Sequence, residues 1–284
     1  MQILSFQSAV AYGHVGNSAA VFPLQRLGFD VWPVDTVQFS NHPGHGGWKG
    51  AAMAAPHLAD VVEGLRRVGT LAALDGVLSG YLGEAAAGVV LLDALDALPP
   101  GALYLCDPVM GDDGPGLYVK AGIPAVLADK LIPAAQVVTP NRFELSLLTG
   151  LPVADLGGAV VAARRLLAPA SSGGRGPRLV VVSSLTAGEG SIACLAVSAD
   201  GAWRVATPRL DFPHPPNGAG DLLSALLLGH LLKGTEAPEA LSLAVSSVFG
   251  VLTRTRALGR RELALVAAQA EIVTPSRLFP AEAM

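Results

Sequence analysis

Short apolar runs alternate with helical patterns along the whole of this chain, an order that only a narrow group of folds accommodates. Residues 2–7 form an apolar run that ends at a small polar residue, as a buried parallel strand does when it delivers a loop. Residues 17–27 predict a helix with Asn17 as its cap and Gly28 as its stop. Further strands are predicted at 30–37, 76–79, 102–106, 136–139 and 179–183, and further helices at 55–68, 84–98 and 156–167. Pro99-Pro100, Asp107-Pro108 and Pro140 fall where elements should stop. The runs 191–198 and 203–207 have no helix between them and read as an antiparallel hairpin turned at Asp200-Gly201. Helices at 220–232, 237–252 and 260–270 complete the pattern. The expectation is a single α/β domain over residues 1–284: a mostly parallel sheet, helices on both faces, and an antiparallel edge.

Composition supports a large buried core, because 51% of residues are hydrophobic and only 15% charged. The net charge of −4 argues against nucleic acid or a membrane surface as partner, since both require clustered Lys and Arg. The pairs Arg66-Arg67, Arg164-Arg165 and Arg260-Arg261 each fall in a predicted helix and read as solvated faces. Cys106 and Cys194 lie in apolar strand-like runs and read as buried, inert thiols in a reducing compartment. The N-terminus has no signal-peptide pattern, and no apolar run reaches membrane-spanning length without interruption, so the expected location is the cytoplasm.

Four segments carry chemistry, each where a strand ends or a helix begins, the edge at which open α/β sheets bind ligands. Asn217-Gly218-Ala219-Gly220-Asp221 precedes an apolar helix. Its small residues let backbone N–H groups approach an anion at the helix start, and Asp221 is placed to accept a proton. A plain Gly-rich turn before a helix would look the same. Thr139-Pro140-Asn141-Arg142-Phe143-Glu144 fits a capping box between Asn141 and Glu144. It equally fits two oxygen donors directed at hydrated Mg²⁺ and nucleotide phosphates. Asp107, at the end of a buried strand, needs a partner that a metal or a water network would supply, whereas Asp112 and Asp113 read as solvated. Ser8, Phe39, Ser40, His42 and Tyr81 follow three strands and suit a flat heteroaromatic ligand. His14, His57 and His230 read as surface or helix residues.

The Gly-rich loop 41–50 is the better candidate for a moving cover, whereas residues 169–177 read as a flexible surface connection. There is no phosphate-loop motif, no early dinucleotide fingerprint, no nucleophile elbow, and no zinc spacing.

With Gly218-Ala219-Gly220-Asp221 and Asn141-x-x-Glu144 both present, the chain resembles the ribokinase superfamily. The stretches SFQSAVAYGHVGNSAAVFPLQRLG, VQFSNH, LSGYLG, CDPVMGD and TPNRFE narrow the likeness to its vitamin B6 kinase branch, over essentially the whole chain. That resemblance implies a ribokinase-like α/β/α fold and phosphorylation of the 5′-hydroxymethyl group of pyridoxal, pyridoxine or pyridoxamine by ATP with Mg²⁺. A monovalent-cation requirement stays open. It implies Asp221 as the base and Gly218, Ala219 and Gly220 as the anion hole. Asp107, Thr139, Asn141, Glu144 and Ser183 would meet nucleotide, with Asp107 and Glu144 reaching Mg²⁺ through water. Thr207, Pro208, Arg209 and Leu210 would border the nucleotide, and Ser8, Val15, Phe39, Tyr81 and Asp221 the substrate. A homodimer with a loop partly covering its site is also implied. Pro43-Gly44 depart from the family's Thr after Asn-His, Ala9 stands where a His is frequent, and Ser183-Ser184 replace a Lys of some members. The alternatives are a hydroxymethylpyrimidine kinase and, from another class, a catalytically silent pyridoxal-phosphate carrier.

Overall fold

In the computed structural model, which describes residues 1–167 and 176–284, the alternating runs pair into a ten-stranded sheet. In chain order the strands are β1 (Gln2–Tyr12), β2 (Asp30–Asn41), β3 (Gly50–Ala52), β4 (Gly76–Ser79) and β5 (Leu103–Cys106). A separate small hairpin follows, β6 (Gly111–Asp112) with β7 (Gly116–Leu117). Then come β8 (Val137–Val138), β9 (Leu179–Thr186), β10 (Ser191–Ser198), β11 (Ala202–Pro208) and β12 (Glu282–Ala283). The sheet order is β12-β11-β10-β9-β8-β5-β4-β1-β2-β3. From β2 to β9 neighbours run parallel. Antiparallel strands flank this core on both sides: β3 against β2, and β10, β11 and β12 beyond β9. One antiparallel edge was expected. The second arises because loop 41–50 returns its Gly50–Ala52 segment to the edge of β2.

Strand alternation divides the core. Leu4 and Phe6 face a layer built on α2 (Ala55–Arg67), α3 (Ala85–Leu95), α6 (Arg142–Thr149) and α7 (Leu156–Leu166). The short α4 (Ile123–Val126) and α5 (Ile132–Ala134), joined by one π turn, complete that side. Ile3 faces the opposite layer of α1 (Asn17–Arg26), α8 (Ala219–Leu232), α9 (Ala237–Ala257) and α10 (Gln269–Val273). Strands covered on both faces read as unbroken apolar runs, which is why LYLC and LVVV were legible. Helix α8 is buried from Leu222 to His230 and fills the middle of its layer.

Some expectations need correction. Strands β1 and β2 run on to Tyr12 and Asn41, because the two continue to pair beyond Gln7, so Ser8, Phe39 and Ser40 lie within strands. Gly16 is the N-cap of α1. Asn17 instead spans to the Gln7 and Val34 carbonyls and the Asp35 carboxylate. The helix expected over 260–270 begins only at Gln269, as α10, and the pair Arg260-Arg261 precedes turns: the Ala264 N–H donates to Thr255 Oγ1 at 2.9 Å, and Leu263 and Leu265 are buried. Tertiary anchoring overrides local propensity there. His230 is helical but buried, and His14 lies in a loop, half-buried. Residues 169–175 of the expected flexible connection lie outside the described residues. Cys106 is buried as expected and Cys194 only partly so, and desolvation pushes both thiols up to about 12, which keeps them protonated.

His230 provides a test of this packing. Burial, with Lys233 nearby, lowers its imidazole to about 4 from 6.5, and its buried Nε2 has no partner among the described residues. The unfolded chain therefore takes up a proton that the folded one refuses, so stability falls as pH drops from 6.5 toward 4. In His230→Leu the melting temperature should fall less steeply across that window than in the parent. Equal slopes in a calorimetric pH series would contradict this account.

Candidate active site

The residues singled out from sequence collect at the carboxyl ends of the parallel strands. Ser8 occupies a bulge in β1, where the register with β2 shifts between Gln7 and Ala9. A bulge re-aims a side chain without ending the strand. Asp107 directly follows β5, its N–H bonded to the Ser79 carbonyl at the end of β4. Ser183 bridges to Asn141, and its N–H donates to the Pro140 carbonyl, so the middle of β9, which runs on past the expected end at Ser183 to Thr186, adjoins the start of α6. Two antiparallel steps beyond β9, β11 again runs in the direction of β9, which brings Thr207, Pro208, Arg209 and Leu210 to the same edge.

Buried negative charge dominates this edge. The capping box is present in full: Asn141 Oδ1 accepts from the Glu144 N–H at 2.8 Å, and Glu144 Oε2 accepts from the Asn141 N–H at 2.9 Å. Glu144 Oε1 also accepts from the N–H groups of Met110 (2.8 Å) and Gly111 (3.5 Å), while the Asn141 amide donates to the Gly111 carbonyl. Glu144 thus pins the turn before β6 to the start of α6. Asp107 Oδ2 accepts from Ser224 Oγ at 2.9 Å, and Ser224 Oγ in turn lies 2.8 Å from Thr139 Oγ1. Burial raises the pKa of Asp107 well above the usual carboxylate range, and the nearby Glu144 and Asp221 carboxylates raise it further. Burial raises Glu144 too, against the pull of its three backbone donors. Among the described residues, no three His, Cys, Asp or Glu side chains converge closely enough to hold a metal ion directly.

Gly218 caps α8, and Asp221 falls in the first turn, where helix N–H groups lack intrahelical partners. Burial raises the Asp221 carboxyl, opposed by hydrogen bonds from the Gly16 N–H and its own N–H. Gly16 lies against Ser8, with no room for a Cβ between them, and a Cβ on Gly218 would collide with the His14 carbonyl. Main chain packed on main chain therefore joins the Asp221 loop to the Ser8 bulge through residues 14–16. Val15 is buried at this junction. Phe39 is covered by Trp48 of loop 41–50, ring centroids 4.0 Å apart, and Tyr81 is half-buried, its hydroxyl held protonated by burial. Asp112 and Asp113 are exposed, as expected.

Two contributors escaped the sequence reading. Ser224 could have been found, as a hydroxyl three residues after Asp221 and so on the same helical face. Tyr118 could not: it follows β7, and although half of the residue is exposed, its hydroxyl is pushed up by partial desolvation and then by Glu144, Asp107 and Asp221. Ser184 holds φ +62°, an uncommon backbone for a non-glycine residue, at the same edge as Ser183.

A family model described as phosphomethylpyrimidine kinase matches residues 58–265. A pyridoxal kinase PdxY of Rubrobacter xylanophilus is 52% identical, covering 99% of this chain and 96% of the relative. One from Deinococcus radiodurans is 47% identical, covering 99% and 95%. Among solved structures, pyridoxal kinase from Leishmania donovani in complex with ADP and pyridoxamine superposes with a TM-score of 0.89 at 29% identity, covering 100% of this chain and 99% of that one. Fold and site together define a small-molecule kinase with the ribokinase-like architecture. Within that class, the chain belongs to the pyridoxal kinase family.

The two glycines of the loop should respond differently to substitution. Gly218→Ala puts a Cβ at φ +88° against the His14 carbonyl, whereas nothing lies within 4 Å of a Cβ on Gly220. Left-handed backbone alone costs an L-residue roughly 1–2 kcal/mol. Thermal denaturation should show a fall of about 3 °C or more for Gly218→Ala and little change for Gly220→Ala. Similar melting temperatures for the two variants would count against the packing described.

Proposed function

We propose that this chain transfers the γ-phosphoryl group of ATP to the 5′-hydroxymethyl group of a vitamin B6 compound, yielding pyridoxal 5′-phosphate when the acceptor is pyridoxal. The observation that carries this reading is the position of Asp221. Its carboxylate lies in the first turn of α8, near enough to the Gly16 N–H beside Ser8 for that donor to oppose the upward shift from burial, and it acts electrostatically on Asp107. The family membership and the complexes of the Leishmania donovani relative with ADP and B6 vitamers support the choice of reactants.

In the proposed reaction the acceptor's alcohol oxygen forms the new P–O bond, the bond from the γ-phosphorus to ADP breaks, and the alcohol proton passes to Asp221. Desolvation makes that carboxylate a better proton acceptor than an exposed one. First-turn N–H groups at Gly218, Ala219 and Gly220 meet charge on the transferring oxygens, a task for which other kinases use Lys or Arg. Ser8 and Val15 contact the ring, with Phe39 and Tyr81 around it. Thr139, Asn141, Ser183 and residues 207–210 border the nucleotide. Asp107 and Glu144 would hold Mg²⁺ through water, since Glu144 is already bonded by three backbone N–H groups and Asp107 by Ser224. When bound, Mg²⁺ offsets both the phosphate charge and the mutual repulsion of these carboxylates. The whole chain acts as one catalytic domain, in the cytoplasm and as a homodimer. No helix among the described residues is long and apolar enough to cross a membrane.

Asp221→Asn should lower kcat by roughly 10²-fold or more, in line with general-base magnitudes, while ATP affinity stays close to the parent's. Undiminished turnover in that variant would remove Asp221 from its role. An ATP-consumption assay with pyridoxal and hydroxymethylpyrimidine side by side should favour pyridoxal. The reverse preference would support the hydroxymethylpyrimidine kinase reading instead.

A further inference from the structure

One buried carboxylate outside the nucleotide edge joins two loops that border the substrate side. Glu262 is 8% exposed. Its Oε1 lies 2.5 Å from His45 Nε2 in loop 41–50, and its Oε2 accepts from the His14 N–H at 3.0 Å. A side chain on Gly13, at φ +104°, would occupy the space of that carboxylate. The neighbouring Arg261 donates to the Gly44 carbonyl, and the Tyr12 ring meets His45 edge-on at 5.6 Å. The same loop lays Trp48 on Phe39.

We propose that Glu262 and His45 latch loop 41–50 as a lid over the vitamer, and that Glu262 also positions the His14–Gly16 main chain that orients Asp221. The inference rests on the substrate-side reading given above. Pro43-Gly44 offer no side-chain donor where the family's Thr would stand, and in this chain His45 and Arg261 supply the tie instead. Glu262 meets His45 directly and acts electrostatically on His14 and His42, while the adjacent Arg261 holds the loop through the Gly44 carbonyl. Burial lowers His14 and His42, and His45 is the imidazole that meets Glu262 within hydrogen-bond distance. Glu262 is a positioning residue: its carboxylate meets the lid and the His14 N–H rather than the reacting atoms.

The test combines kinetics with Trp48 emission, read in a Trp32→Phe, Trp203→Phe background. His45→Ala and Arg261→Ala should each raise the KM for pyridoxal roughly tenfold, the scale of a lost hydrogen bond to a charged group. The KM for ATP should stay within about twofold of the parent's, and Trp48 emission should shift to the red as the lid lifts from Phe39. Glu262→Ala should do both and also lower kcat, because His14 is released. Glu262→Gln, which still accepts from the His14 N–H, should restore kcat. His57→Ala, on α2, should change nothing. Parental pyridoxal KM and Trp48 emission in His45→Ala and Arg261→Ala, at parental melting temperatures, would overturn the latch. If the unsubstituted protein phosphorylated no B6 vitamer, the kinase reading itself would fail, and the emission comparison would still decide whether the lid is latched.

Discussion

Carboxylates removed from water repel one another and are stable as anions only where donors surround them. At the carboxyl edge of this sheet, Asp107, Glu144 and Asp221 stand within one another's influence. Each is held in a different way: Asp107 by a serine hydroxyl, Glu144 by three backbone N–H groups, and Asp221 by the first turn of α8 and Gly16. The rest of the architecture serves that arrangement. Parallel strands covered on both faces deliver the loops, α8 fills the layer beneath, and the β6–β7 hairpin folds back to bring Tyr118 to the same place. A site with excess negative charge is suited to a ligand that arrives with a divalent cation. In the proposed reaction, backbone dipoles and a cation brought in by the nucleotide take the place of the lysines this chain lacks.

Much of this was legible in the sequence because it depends on short-range chemistry. LYLC and LVVV could only be strands buried on both faces, and Asn141-x-x-Glu144 specified its own hydrogen bonds. The Gly218–Asp221 turn was readable because few residues permit that backbone. What could not be read depended on distant partners. The bulge at Ser8 and the long overhang of β1 and β2 require each strand to find the other. The helical pattern at 260–270 was real as periodicity, yet its apolar residues and Thr255 hold the segment in turns. Tyr118 and Glu262 act on groups far away in sequence, and nothing local marks either one.

The capping box illustrates why structural and functional explanations of a residue need not compete. Glu144 closes the start of α6 and fixes the turn ahead of β6 with the same two oxygens. That makes it an organiser of the edge before any ligand arrives. Carboxylates spaced and loops tethered by the protein's own hydrogen bonds limit the reorganisation left for binding.

Between Gly218 and His14, and between Gly16 and Ser8, the contacts are made by backbone or by the smallest side chains, with no space for anything larger. In the proposed reaction, the separation between Asp221 and the acceptor alcohol would thereby be set by peptide geometry and insulated from side-chain variation nearby. Residues lining the ring pocket can consequently be exchanged, and the preferred acceptor altered, while the reacting atoms keep their alignment.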